Sequence, residues 1–284
     1  MRLPFSQVDV FGHGGLTGNP VAVVHDAEGI DDAAMQAFAR WTNLSETTFL
    51  LPPTQKGADY RLRIFTPDRE LPFAGHPTLG SAHAWRERGG VPARADHLVQ
   101  ECGAGLVEVR QEEDQMAFRA PGFLREGPVE AADLETVLDC LGEPAREHLV
   151  TAEWIDNGPG WLGLLLDSAE AVLALRPRFA DLRIDTGVIG PHDAATAADL
   201  GAGWEVRAFC PGLTVNEDPV TGSLNAGFGR WLTRTGALPP SYVVRQGGAG
   251  GADGRVQVAT DEAGDVWVGG RCRTVVSGQV VSPP

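Results

Sequence analysis

Lysine is nearly missing from this chain of 284 residues, and Lys56 is the only one. A Schiff-base mechanism, which needs a lysine amine in its site, is therefore disfavoured. Cysteine is scarce as well. Cys102, Cys140, Cys210 and Cys272 show no CxxC or other close spacing, so neither a disulfide-stapled secreted scaffold nor a zinc site is expected. They read as reduced thiols of a cytoplasmic protein. No apolar run approaches the ~18 residues of a membrane span, and the first residues lack the long apolar segment of a signal peptide. Positive charge is also short. A net charge of −15 argues against nucleic acid or an anionic membrane as partner. The seven histidines form no HxxxH or HExxH pair, so no metal is expected. The glycine-rich loop at residues 12–18 has neither the GxGxxG setting of a dinucleotide site nor the lysine of a P-loop. Ser223, Asp218 and His76 invite a hydrolase reading, but no GxSxG elbow supports it. No cofactor is expected, organic or metallic.

What the chain does have is glycine and proline in a repeated order. Residues 70–80, ELPFAGHPTLG, return as residues 217–227, EDPVTGSLNAG. Glu70, Pro72, Gly75 and Gly80 match Glu217, Pro219, Gly222 and Gly227 at one constant offset, which Gly89 and Gly236 share. Upstream, Arg63, Phe65 and Pro67 are echoed by Arg207, Phe209 and Pro211. Ordered matches on both sides of a core point to a duplicated unit. We expect an α+β fold of two pseudo-repeated domains, each a rolled, mostly antiparallel sheet around a central helix. The first spans residues 1–122, with 271–284 returning to it, and the second spans 123–270.

Local patterns fill in the elements. Strands are expected at residues 5–10 and 21–24, and at residues 60–66, where apolar and basic residues alternate. Residues 31–41 have helical periodicity with Asp31 or Asp32 as N-cap. Glu46 stands at the entrance of a β-branched, apolar strand. Pro77 suits the first position of the central helix, which stops at Gly89-Gly90. Further helices are expected near residues 131–141 and 172–182. At a helix N-terminus His76 is favoured in its neutral form. On these patterns alone Glu46 reads as a solvated glutamate, His76 as a turn histidine and Asp218 as a turn or N-cap aspartate.

Five motifs together resemble the PhzF-like family, named for an isomerase of phenazine biosynthesis. They are VDVF at residues 8–11, Gly18-Asn19-Pro20, Ser45-Glu46-Thr47, Ala74-Gly75-His76-Pro77 and EDPVTGS at residues 217–223. The resemblance covers nearly the whole chain and implies the diaminopimelate-epimerase-like fold, with a site between the two domains. It implies a cofactor-independent isomerase that moves a proton within a small, cyclic or amino carboxylic acid. Glu46 would be the proton-moving base, and His76 and Asp218 would hold the substrate and tune the step. Asn19, Gly75, Gly222 and Ser223 would bind the substrate. A homodimer is implied too. The two thiols of the related epimerases would fall at Ala74 and Asp218, so two-thiol chemistry is disfavoured. The alternative is a non-catalytic small-acid-binding or interaction protein that kept the fold.

Overall fold

The computed structural model describes residues 2–112, 115–211 and 216–281. The chain divides into two compact units: Met1–Arg119 with Gly269–Pro284, and Ala120–Val268.

In the first unit, β1 (Arg2–Val10) pairs antiparallel with β2 (Asn19–Val24). Helix α1 (Asp32–Thr42) leads to β3 (Glu46–Leu51), which lies parallel to β2. β4 (Tyr60–Phe65) runs antiparallel to β3, and β5 (Glu70–Leu71) antiparallel to β4. Helix α2 (Gly75–Glu87) follows, then β6 (Leu98–Cys102), parallel to β4. β7 (Gly105–Glu112) and β8 (Gln115–Arg119) complete an antiparallel ladder. The chain's last strand, Val266–Val281, returns beside β1, with Arg2 opposite Val281 and Val10 opposite Cys272. It also pairs with β8, so the strands of this unit close around α2. Residues 282–284 of the expected return lie outside the described residues.

The second unit adds β9 (Arg125–Pro128), α3 (Ala131–Leu141) and α4 (Glu143–Glu147) before repeating the pattern. β10 (Leu149–Asp156) pairs antiparallel with β11 (Leu162–Leu166), and α5 (Ala169–Ala174) leads to β12 (Thr186–Pro191), parallel to β11. After α6 (Ala194–Leu200), β13 (Trp204–Phe209) and β14 (Glu217–Asp218) add antiparallel. Helix α7 (Gly222–Arg234) then leads to β15 (Ser241–Gln246), parallel to β13. β16 (Gly254–Thr260) is antiparallel to β15, and β17 (Val266–Val281) ends the chain. Every pairing direction from β1 to β7 recurs from β10 to β16. The fold is α+β and duplicated, as the repeat implied.

The repeated Arg and Glu now have a physical reason. Arg63 grips Glu70 through Nε and Nη2 at 2.8 and 2.7 Å, and Arg207 grips Glu217 through the same atoms at 2.8 Å each. Each bidentate pair ties a two-residue strand to its neighbour just before a central helix begins. A second pair has exchanged its charges: Arg61 stands opposite Glu101 in one unit, and Glu205 opposite Arg245 in the other.

Two sequence expectations are corrected. Helix α2 starts at Gly75 with Ala74 as N-cap, so Pro77 is its third residue. It still lies in the first turn, where N–H groups have no intrahelical partner. Helix α5 ends at Ala174, short of residue 182, because Leu175 turns extended (ψ 138°) two residues before Pro177. At α1 the N-cap is Asp31, whose carboxylate accepts the Ala34 N–H at 2.8 Å.

The central helices are hemmed in on the sheet side. A methyl group at Gly80 would collide with Val21 Cγ1 and come within 3.0 Å of Val10 Cγ2. At the matching Gly227 it would come within 2.9 Å of the Ile155 carbonyl. Glycine at these positions lets the helix lie almost on the strands. Gly80→Ala should therefore destabilise the protein by about 1–3 kcal/mol through overpacking. Gly122, with open space around it, should accept alanine within about 0.5 kcal/mol. Urea midpoints of the two variants decide this, and equal midpoints would remove close packing as the reason for Gly80.

Candidate active site

The end of α1 sets up the first site residue. Asn43 takes the left-handed conformation (φ 55°) and returns its N–H to the Ala39 carbonyl, which stops the helix. Three residues later β3 begins at Glu46, directly beside Val21 of the parallel β2. Val21 is the residue against which Gly80 packs. His76 lies four residues before Gly80 in α2, one turn away on the same face. The close approach at Gly80 thus carries the histidine toward the strand end where Glu46 stands.

The structure brings these two side chains together. His76 Nε2 lies 3.3 Å from Glu46 Oε2, with side chains only 4% and 14% exposed. Burial pushes the His76 pKa down to about 3, so the ring is neutral at ordinary pH. The dyad is therefore a carboxyl group beside an uncharged imidazole, largely withdrawn from water.

Asn19 is fully buried at the start of β2, opposite Val10 of β1. β2 and β3 are parallel, so Asn19 and Glu46 mark the same end of adjacent strands. Gly75 is the first residue of α2, immediately before His76.

The remaining expected residues, Asp218, Gly222 and Ser223, belong to the second unit and gather at the start of α7. Gly222 is its first residue. Ser223 Oγ accepts from Trp161 Nε1 at 3.1 Å, and the Ser223 carbonyl accepts from Asn157 Nδ2 at 2.8 Å. Asp218 Oδ2 accepts from Thr221 Oγ1 at 2.6 Å. Sequence reasoning missed Asn157, Trp161, Thr221 and Gln246. Thr221 sits inside a recognised motif, whereas the other three are distant in sequence and carry no local signal.

The buried histidines give a pH dependence whose sign is fixed. Unfolded, His76 would titrate near its ordinary 6.5, and folded near 3. Between these values the unfolded chain binds a proton that the native state refuses, so stability falls as pH drops. His25 acts in the same direction, because burial lowers it to about 4. Each histidine should add about 1.4 kcal/mol of lost stability per pH unit inside its window. His76→Gln should flatten the decline between pH 6 and 4 by that amount. An unchanged slope would contradict a buried, neutral His76.

Comparison with known proteins supplies the context. The family model for phenazine biosynthesis-like proteins, PhzC-PhzF, matches residues 8–279. Antisense-enhancing sequence 1 of Schizosaccharomyces pombe is 38% identical, over 97% of either chain. A trans-2,3-dihydro-3-hydroxyanthranilate isomerase of Pseudomonas fluorescens is 36% identical, over 81% of this chain and 80% of its own. Among solved structures, a phenazine biosynthesis PhzF family protein of Enterococcus faecalis superposes with a TM-score of 0.77 at 26% identity. The match covers 99% of this chain and 100% of that one.

Proposed function

Because this chain belongs to the phenazine biosynthesis-like PhzC-PhzF family, we propose that it is an isomerase that moves a proton within a small carboxylic acid, with Glu46 as the base. The observation that carries the reading is the Glu46–His76 dyad at 3.3 Å in a site nearly closed to water.

The chemistry balances on the chain's own groups. Glu46 takes a proton from a substrate carbon, and the bonding electrons of that C–H bond enter the substrate's conjugated system. The same carboxyl returns a proton to another carbon of that system, so nothing is oxidised or reduced. A positioned general base contributes about 10²–10⁴-fold. His76 stays neutral beside the carboxyl group, so it adds no positive charge that would weaken Glu46 as a base. We assign Asp218 to holding the substrate and tuning the step, and Asn19, Gly75, Gly222 and Ser223 to binding it. The scheme uses no cofactor. Four buried thiols suit a reducing compartment, and we place the enzyme in the cytoplasm as a homodimer.

Trans-2,3-dihydro-3-hydroxyanthranilate, named for the similar Pseudomonas isomerase, is the first substrate to offer, followed by other small cyclic and amino acids with a conjugated system. Glu46→Gln should lower turnover of whichever acid is accepted by about 10²–10⁴-fold, while calorimetric binding changes less than about threefold. Wild-type turnover in the variant would remove Glu46 from the mechanism. Tight binding of an acid by the wild type with no turnover would instead favour a binding protein.

A further inference from the structure

We infer that Thr221 and Gln246 are positioning residues that hold Asp218 as an ionised, oriented carboxylate through a polarised hydrogen-bond relay. The inference rests on the role proposed above for Asp218, and it adds two residues to that role.

Gln246 is the last residue of β15 and is fully buried. Its amide orientation is fixed by partners whose roles are not interchangeable. Oε1 accepts from the Thr221 backbone N–H at 3.1 Å, and Nε2 donates to the Asp218 carbonyl at 3.2 Å. With the amide so placed, Nε2 also donates to Thr221 Oγ1 at 2.8 Å. The Thr221 hydroxyl, accepting there, sends its own proton to Asp218 Oδ2 at 2.6 Å. Asn225 closes the set, with Nδ2 donating to Gln246 Oε1 at 3.0 Å and to the Thr221 carbonyl at 2.8 Å. Hydrogen bonds in such a chain strengthen one another, and their sense favours a charged acceptor at the end.

The hydroxyl is not spent on the fold. Thr221 is the N-cap residue of α7, yet its side chain caps no helix N–H. The twin unit makes the same point. By strand register and helix start, Asp218, Thr221 and Gln246 correspond to Leu71, Ala74 and Cys102. The first unit builds the same β-strand, turn and helix with none of the three polar groups. The trio is therefore confined to one copy of a duplicated frame, and all its members appear together.

Charged neighbours on the packed elements are already committed. Arg207 of β13 pairs with Glu217, and Arg245 of β15 pairs with Glu205 and Asp253. The first turn of α7 carries no acidic residue.

The deciding experiment needs no substrate. The full-length protein is labelled with carboxyl-¹³C aspartate, and the Asp218 signal is identified by its loss in Asp218→Asn. Thr221→Val keeps the side chain's shape and removes the hydroxyl, so the Asp218 pKa should rise by about one unit or more, as expected for a lost hydrogen bond to a charged group. Thr221→Ser, which retains the hydroxyl, should leave it within about 0.3 units. No rise in the valine variant, or equal rises in both, would overturn the relay. Turnover separates the two readings. Full activity in Asp218→Asn would remove Asp218 from the reaction whatever Thr221 does to its pKa. Loss of activity in Asp218→Asn, with no pKa change in Thr221→Val, would refute the relay alone.

Discussion

Everything in the first unit depends on how near α2 comes to the sheet. Gly80 has no room for a methyl group because Val21 and Val10 already fill it. That contact fixes the depth of the helix over β2, and β2 is the parallel neighbour of the strand that begins with Glu46. The helix can turn or slide only by losing the fit. His76, one turn from Gly80, is held at 3.3 Å from the carboxylate for the same reason. Burial then makes the histidine neutral, which decides what the dyad can do. A charged imidazole would weaken the base proposed at Glu46, and a neutral one places no charge beside it.

Duplication explains the division between frame and chemistry. The residues that hold the frame recur in both copies: Arg63 with Glu70 and Arg207 with Glu217, and Gly80 and Gly227 at the close approach. Where the frame needs only an opposite pair, the signs have exchanged, as in Arg61 with Glu101 and Glu205 with Arg245. The polar residues proposed for chemistry recur only in part. Glu46 and His76 stand where the second unit has Asp185 and Ser223, whereas Asp218, Thr221 and Gln246 stand where the first has Leu71, Ala74 and Cys102. A frame that folds with Leu71, Ala74 and Cys102 at those places is free to carry polar groups on its other copy.

Much of this was legible in the sequence because the deciding features are local. Asp31-Asp32 announces a helix start, and the Asp31 carboxylate caps α1. Glu46 followed by β-branched residues announces a strand, and β3 begins there. The repeat of Glu, Pro and Gly announced two equivalent helices, and α2 and α7 have the same length and the same pattern of neighbouring strands. The helix start at Gly75 was misjudged by two residues because Pro77 is tolerated anywhere in a first turn. The contact between Glu46 and His76 could not be read from spacing, since it depends on strand order and on a glycine in between. The Gln246 relay was hidden for the same reason: β15 reaches the start of α7 only through a parallel crossover.

The central claim is that one carboxylate moves the proton, and solvent deuterium tests it most directly. The enzyme would be incubated in D₂O with an accepted acid, and substrate and product recovered at partial turnover for mass spectrometry and NMR. The account predicts deuterium at the carbon that receives the proton in the wild type, and none above background with Glu46→Gln. Deuterium entering at the wild-type rate in that variant would show that another group moves the proton, and would contradict the account.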